Sequence, residues 1–191
     1  NAIYEIVTKS ISSILKSIFE KKKIESIYEK CEVDSLNFDL PCKDELSGLL
    51  NKKSLLNYGE KIIGLGKNLN KKGLVVYCNI NNMKLINNDF GSSYADNAIK
   101  GAATVLQNCF RSNDIIGRYK DDKFVVICAG LNDFTFERIR EQINSECKKW
   151  VEDNNSLFVL SMSVGITQFD NETESNSLEK LIQEASLNAK K

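Results

Sequence analysis

Apolar and polar positions recur along this chain with two periods, and the change from one period to the other marks the elements. Where apolar residues return every three to four positions, a helix is predicted. Four helices follow from this, at 51–69, 93–111, 133–151 and 178–190. Short apolar or strictly alternating stretches predict strands instead. Four strands follow, at 74–80, 115–119, 123–128 and 157–167.

The order of these elements predicts the fold class. Strands 115–119 and 123–128 are separated by a few polar residues, which is typical of a β-hairpin. Helices alternate with the other strands, and this favours an α/β fold with a mixed central sheet flanked by helices. Asn132 or Asp133 is expected to cap the helix at 133–151, because short polar side chains accept hydrogen bonds at helix starts.

The first thirty residues have a helical pattern of their own. Residues 3–30 contain no glycine or proline, and apolar residues step by three and four at Tyr4, Val7, Ile11, Ile14 and Ile18. This stripe either packs on the chain's own domain or forms a parallel dimer that carries a signal from an upstream sensor. Three parts are therefore expected: an N-terminal signalling helix at 1–30, a connector at 31–43, and a domain at 44–191.

Composition narrows the chemistry. The chain has 26 basic and 26 acidic residues, so no net field favours nucleic acid as a partner. It has no histidine, so a metal would need carboxylate ligands. Its six cysteines show no paired spacing, which predicts a reduced, cytoplasmic compartment. No apolar stretch has the roughly 20 residues that span a bilayer, although a longer parent protein could be membrane-attached.

Six short blocks in the second part of the chain resemble one family. They are D-E-L-S-G-L-L-N at 44–51, N-I-N-N-M-K-L-I-N at 79–87, Asp96, R-Y-K-D-D-K-F at 118–124, S-M-S-V-G at 161–165, and Ala189-Lys190. In order and spacing, these blocks are similar to those of GGDEF domains, the diguanylate cyclases. The resemblance covers residues 44–191. It implies a nucleotidyl-cyclase-like palm in which two domains condense two GTP molecules to cyclic di-GMP with Mg²⁺ or Mn²⁺.

The catalytic part of this resemblance is degenerate. Asn79 stands where the family has its first metal-binding Asp, and Asn81 replaces the second Asp of that block. Lys120 and Asp121 replace the two glycines of the signature, and Lys123 replaces its Glu. Asp122 is the carboxylate that remains, and it is a weak candidate metal ligand.

These changes predict that the chain lacks cyclase activity and requires no cofactor, with Mg²⁺ or Mn²⁺ needed only for residual activity. The turn formed by Lys120, Asp121, Asp122 and Lys123 is either a solvated hairpin turn or a place where Lys120 or Lys123 binds a phosphate.

Several nucleotide-binding positions are retained. By resemblance, Asn87 and Asp96 would read the guanine edge, and Lys84 and Lys190 would contact phosphate. The alternative for Asn87 and Asp96 is a structural one, since Asn and Asp often cap turns and helices.

A second candidate site precedes the hairpin. Arg111-Ser-Asn-Asp114 lies nine residues before Lys120, where the family has its R-x-x-D product-inhibition site. By resemblance, Arg111 and Asp114 would bind cyclic di-GMP, and Arg138 or Arg140 on the next helix would complete the site. The alternative is an ion pair at a helix end.

Three functions remain open on the sequence. The chain is predicted to be a non-catalytic receptor or transmitter for cyclic di-GMP or GTP, working as a homodimer through its N-terminal helix. The alternatives are a weakly active diguanylate cyclase and a purely structural dimerisation module.

Overall fold

The computed structural model describes residue 22 and the ranges 42–68, 72–129, 135–170 and 177–189. The chain divides into two units, Asn1–Leu40 and Pro41–Lys191, and the account below concerns the second. Apart from Lys22, the predicted helix at 1–30 lies outside the described residues, and so does nearly all of the connector at 31–43. Lys190 does as well.

One four-stranded sheet forms the centre of this unit. Its strands are β1 (Gly73–Ile80), β2 (Ile115–Lys120), β3 (Lys123–Ala129) and β4 (Met162–Phe169), in the order β2-β3-β1-β4. All three pairs of neighbouring strands are antiparallel, so the sheet is antiparallel where the pattern predicted a mixed one. A parallel pairing does occur at the isolated bridge between Leu50 and Gly117. The α/β palm itself is confirmed.

Among the residues that the structure describes, five helices flank the sheet. They are α1 (Lys52–Asn68), α2 (Met83–Phe90), α3 (Ser92–Cys109), α4 (Phe136–Asp153) and α5 (Leu178–Asn188). The sequence pattern missed α2, which is too short to show a helical period. Thr135 caps α4, not Asn132 or Asp133, because its side chain accepts from the backbone N–H of Arg138. Within the described ranges, no helix is both long and apolar enough to cross a membrane.

The last strand begins later than its alternating pattern predicts. Phe158 and Leu160 are buried while Leu157 and Val159 are exposed, so the alternation over 157–161 reflects real burial. The ladder with β1 nevertheless starts only at Met162, which pairs with Ile80. The alternation thus reports the burial of side chains rather than strand pairing.

The two faces of the sheet have different roles. Alternate residues of β1, among them Val76 and Cys78, face α3 and α4 and form the main apolar core. The intervening residues, Val75, Tyr77 and Asn79, face the side covered by α1 and α5. Asn79 lies near the carboxyl end of β1, next to the turn of the β2-β3 hairpin, and this end of the second face holds the candidate site.

Candidate functional site

At the end of β1, Asn79 lies beside the hairpin turn formed by residues 120–123. Asn79 pairs with Lys123 on one side and with Ser163 on the other, and the backbone N–H of Ile80 donates to the carbonyl of Asp122 at 3.0 Å. Asp121 has φ of +45°, in the left-handed region that favours glycine. The turn therefore keeps a glycine-like backbone, but a carboxylate now projects from it.

Lys123 neutralises the carboxylate that remains in the turn. Its Nζ donates to Oδ1 of Asp122 in a close ion pair. The hydrogen bond to Asp122 raises the pKa of Lys123, and the nearby Tyr77 and Asp121 raise it further, against a smaller lowering by burial. The ammonium is therefore charged at neutral pH, and Asp122 is already partnered.

Asn79 adds an unusual acceptor to this cluster. Its Nδ2 donates to the carbonyl of Ile80 at 3.3 Å, whereas its Oδ1 is buried and accepts no hydrogen bond within the described part of the chain. A buried acceptor left unpaired costs about 1–3 kcal/mol, and such groups are concentrated where a ligand or a specific function uses them.

These residues do not fit a divalent metal ion. Mg²⁺ and Mn²⁺ prefer several oxygen ligands of which some carry negative charge. Here Asn79 is neutral, and the carboxylate of Asp122 is bound by an ammonium. In the described ranges, no three His, Cys, Asp or Glu residues come together in a way that could hold a metal.

Asn81 has a structural task. Ser163 Oγ donates to its Oδ1 at 2.6 Å, and its Nδ2 donates to Ser161 Oγ at 3.1 Å. Its backbone N–H also donates to the carbonyl of Ser161 at 2.9 Å. The amide thus joins the chain that leaves β1 to the chain that enters β4, a pairing for which a carboxylate would lack the donor.

Arg118 joins the hairpin to the segment before α1. Its Nη1 donates to Oδ1 and Oδ2 of Asp44 at 3.0 and 3.2 Å, and its Nε donates to the carbonyl of Asp121 at 2.8 Å. Asp44 also accepts from the backbone N–H and the hydroxyl of Ser47. Burial raises the pKa of Asp44, but the hydrogen bonds from Ser47 and Arg118 outweigh it and hold this pKa below its usual value.

Replacing Asp44 by Asn should lower the free energy of unfolding by about 1 kcal/mol at neutral pH, because a charge-assisted contact is lost. A carboxyl group whose pKa is depressed in the folded state stabilises the fold above its unfolded pKa, and this contribution disappears as pH falls through the folded pKa. Urea unfolding of both proteins should therefore give curves that differ at pH 7 and converge once the pH falls below the lowered pKa of Asp44. A difference that persists at acid pH would contradict this role for the Asp44 charge.

The predicted guanine-reading residues lie on two adjoining helices. Asn87 and Lys84 lie on α2, Asp96 lies on α3, and all three are exposed. Gly91 separates the helices, with φ of +91°, and donates its backbone N–H to the carbonyl of Asn87. The side chains of Asn87 and Asp96 make no hydrogen bond within the described ranges, so the structure gives them no capping role.

Arg111 and Asp114 lie in the loop that leads into β2. Asp114 is buried, and its Oδ2 accepts from the backbone N–H of Arg111 at 2.9 Å. Burial raises the pKa of Asp114, and the hydrogen bonds from Arg111 and the Cys128 thiol lower it by less. Arg111 itself is exposed. Asp114 therefore shapes the loop that presents Arg111, with little of its carboxylate open to solvent.

The two candidate arginines on α4 lie in different surroundings. Arg140 donates its Nε to the carbonyl of Val164 on β4, at the opposite edge of the sheet from β2. Gln142 lines the cleft beside Arg111 and Asp114 and donates to the carbonyl of Cys109 at 3.1 Å. Arg138 lies one helical turn before Gln142 on the same side of α4. Sequence reasoning missed Gln142, since a lone glutamine carries no signal.

The fold and these motifs define a domain of the nucleotidyl-cyclase-like palm class. The profile of the family described as "Diguanylate cyclase, GGDEF domain" matches residues 42–191. The chain therefore belongs to the GGDEF family.

The proteins to which the chain is similar include a diguanylate cyclase and a protein described as a signaling protein. The chain is 26% identical over 131 residues to diguanylate cyclase DgcP of Escherichia coli. This match covers 68% of this chain and 38% of DgcP. It is 27% identical over 125 residues to signaling protein YkoW of Bacillus subtilis, covering 64% of this chain and 16% of YkoW. The chain thus spans well under half the length of these relatives.

A solved structure shares the fold. The GGDEF domain of DgcB from Caulobacter crescentus, crystallised in complex with cyclic di-GMP, superimposes with a TM-score of 0.65. The match covers 78% of this chain and 88% of that domain at 15% sequence identity, a likeness that concerns the fold.

Proposed function

We propose that this chain is a non-catalytic GGDEF domain that acts as a nucleotide receptor or transmitter in cyclic di-GMP signalling. The observation that carries the proposal is the ion pair of Lys123 with Asp122, opposite the neutral Asn79. The chemistry of the family needs metal ions to neutralise phosphate charge and to activate the attacking hydroxyl. A neutral amide and an ammonium in those positions supply neither function.

The favoured ligand is cyclic di-GMP, bound at the cleft beside Arg111. An exposed arginine binds phosphate or a guanine edge with two parallel hydrogen bonds. Asp114 fixes the backbone that carries Arg111, and Gln142 adds an amide at the same cleft. Arg138 is the better placed of the two candidate second arginines. The related fold of DgcB was crystallised with cyclic di-GMP, which supports this choice.

GTP is a second candidate ligand. The exposed, uncommitted side chains of Asn87 and Asp96 on adjoining helices favour it, because an amide and a carboxylate complement the donors and acceptors of guanine. Lys84 lies on α2 with Asn87, and Lys190 would be a further phosphate contact. No cofactor is required for either ligand. The proposed setting is the cytoplasm, as a homodimer through residues 1–30 that follows an upstream sensor.

Calorimetric titration of the whole chain with cyclic di-GMP tests the receptor function. Binding in the micromolar range is expected. Arg111→Ala should weaken it about 10- to 100-fold, because a charge-assisted hydrogen-bonded contact contributes about 1.5–3 kcal/mol. Arg140→Ala is the matched control: it removes the same charge from the neighbouring helix, yet Arg140 faces β4. The affinity of this variant for cyclic di-GMP should stay within about twofold of that of the unmodified chain.

The possible outcomes separate a nucleotide receptor from a structural dimerisation module. Equal losses in both variants would mean that net charge, not the Arg111 cleft, determines binding. Binding of GTP alone, lost in Asp96→Ala, would move the receptor site to α2 and α3. Absence of binding by both cyclic di-GMP and GTP would exclude the receptor function and leave the structural dimerisation module. The oligomeric state, measured with and without residues 1–30, would then test that module.

A further inference from the structure

The charges at the end of β1 balance without any bound ion. The turn contains two lysines, Lys120 and Lys123, and two aspartates, Asp121 and Asp122, so its formal charge is zero. Asn79 adds none. Arg118, the nearest arginine, is engaged by Asp44 and by the carbonyl of Asp121. A divalent cation placed here would meet no net negative charge.

Lys123 lies opposite Asn79, the position that matches the first metal-binding Asp of the family. It lies directly opposite Asn79 in the antiparallel ladder, and such pairs have Cβ atoms about 4.5–5.5 Å apart on one face. Tyr77, two residues before Asn79 on the same face, lies close enough to raise the pKa of Lys123. The ammonium of Lys123 therefore contacts the Asp122 carboxylate, and its side chain shares a face of the sheet with Tyr77 and Asn79.

We propose that the Lys123 ammonium is a built-in replacement for the metal ion of the family, so that this site holds phosphate groups without a divalent cation. The inference deepens the proposed function and rests on it for the nucleotide. Lys123 has three N–H donors and only one is used by Asp122 in the described structure. The remaining donors are available to a phosphate oxygen, and Oδ1 of Asn79, opposite Lys123 in the ladder, accepts no hydrogen bond within the described part of the chain.

Two substitutions should convert the site back to one that holds a metal. Asn79→Asp supplies the missing carboxylate, and Lys123→Glu removes the ammonium and frees Asp122. Together they change the formal charge of this cluster from zero to −3, which favours a hard divalent cation. Free Mn²⁺ has a sharp electron paramagnetic resonance signal that is lost on binding, so titration of each protein with MnCl₂ reports occupancy without any nucleotide.

The unmodified chain is expected to leave the Mn²⁺ signal as it is in buffer, and the double variant should bind Mn²⁺ at least about tenfold more tightly. Equal binding by both proteins would overturn the proposal, and so would a folded double variant that binds no better than the unmodified chain. Circular dichroism checks the fold. If the double variant does not fold, Lys123→Gln, which frees Asp122 with a neutral side chain of similar length, must show tighter Mn²⁺ binding than the unmodified chain for the proposal to stand.

GTP titrated in Mg²⁺ and again in EDTA completes the test. The dissociation constants of the unmodified chain should agree within about twofold, whereas Lys123→Gln should weaken binding in EDTA about tenfold. A tenfold loss in EDTA for the unmodified chain would contradict the built-in cation. Absence of GTP binding in both buffers would remove GTP from the proposed function, and the Mn²⁺ titration would then decide the role of Lys123 by itself.

Discussion

Gly165→Ala is expected to lower the free energy of unfolding by about 3 kcal/mol or more, which would reduce the melting temperature by roughly 6–12 °C. Gly165 lies in β4, and α5 packs directly on it. A Cβ at this position would lie 1.9 Å from the carbonyl oxygen of Ala185 and 2.4 Å from the backbone nitrogen of Ala189. Both are backbone atoms, so no side-chain rotation can relieve the overlap.

The contact between α5 and Gly165 also explains why the loss of stability should involve more than one residue. Asn188 at the end of α5 donates its Nδ2 to the carbonyl of Ile166 at 3.0 Å, so the helix end is fixed to β4 at the residue that follows Gly165. A methyl group must push the helix away and break this bond. Leu181 and Ile182, which are buried, would move with it.

Gly64→Ala provides the matched control. Gly64 lies within α1, and a Cβ added there has no neighbour within 4 Å. The same substitution should therefore raise stability by about 0.5–1 kcal/mol, because alanine loses less conformational freedom in a helix than glycine does. Thermal unfolding followed by circular dichroism measures both. If the two variants melted together, the close approach of α5 to β4 would not exist in solution.

The fold was predictable from the sequence where burial alone decides the pattern. The runs at 74–80 and 123–128 became β1 and β3 because central strands are buried on both faces. The antiparallel order was not predictable, since pairing depends on partners distant in sequence. Met83–Phe90 was missed for a different reason: it has only eight residues, so its apolar period does not stand out in the sequence, although Met83 and Ile86 pack on the core.

The candidate site was predictable as a set of residue types, and less so as a set of contacts. The loss of acidic residues at Asn79 and Lys123 is visible in the sequence, but the pairing of Lys123 with Asp122 and the isolated acceptor of Asn79 require coordinates. Asp114, predicted from the sequence as a ligand-binding residue, lines the cleft beside Arg111 but is buried. Short polar motifs show which side chains are present. The burial of each residue and the register of the strands determine which of these side chains reach solvent.

Incubation with GTP and Mn²⁺ should yield cyclic di-GMP from this chain at a rate at least about a thousandfold below that of the diguanylate cyclase DgcP measured in parallel. Metal ions contribute several kcal/mol to the transition state of such a transfer, and each 1.36 kcal/mol corresponds to a factor of ten in rate. Asn79 and the pair formed by Lys123 and Asp122 leave these ions without ligands. Chromatographic separation of the nucleotides, followed over hours, measures the product.

The control for this assay is the Asp122→Asn variant, which removes the last carboxylate that could hold a metal. If the unmodified chain forms no product by its own chemistry, both proteins should give the same trace signal. Product that grows with protein concentration and is lost in Asp122→Asn would show that Asp122 exchanges Lys123 for a metal ion during turnover. The chain would then be a slow cyclase, and the ion pair of Lys123 with Asp122 would be a resting state of the enzyme instead of a substitute for its metal.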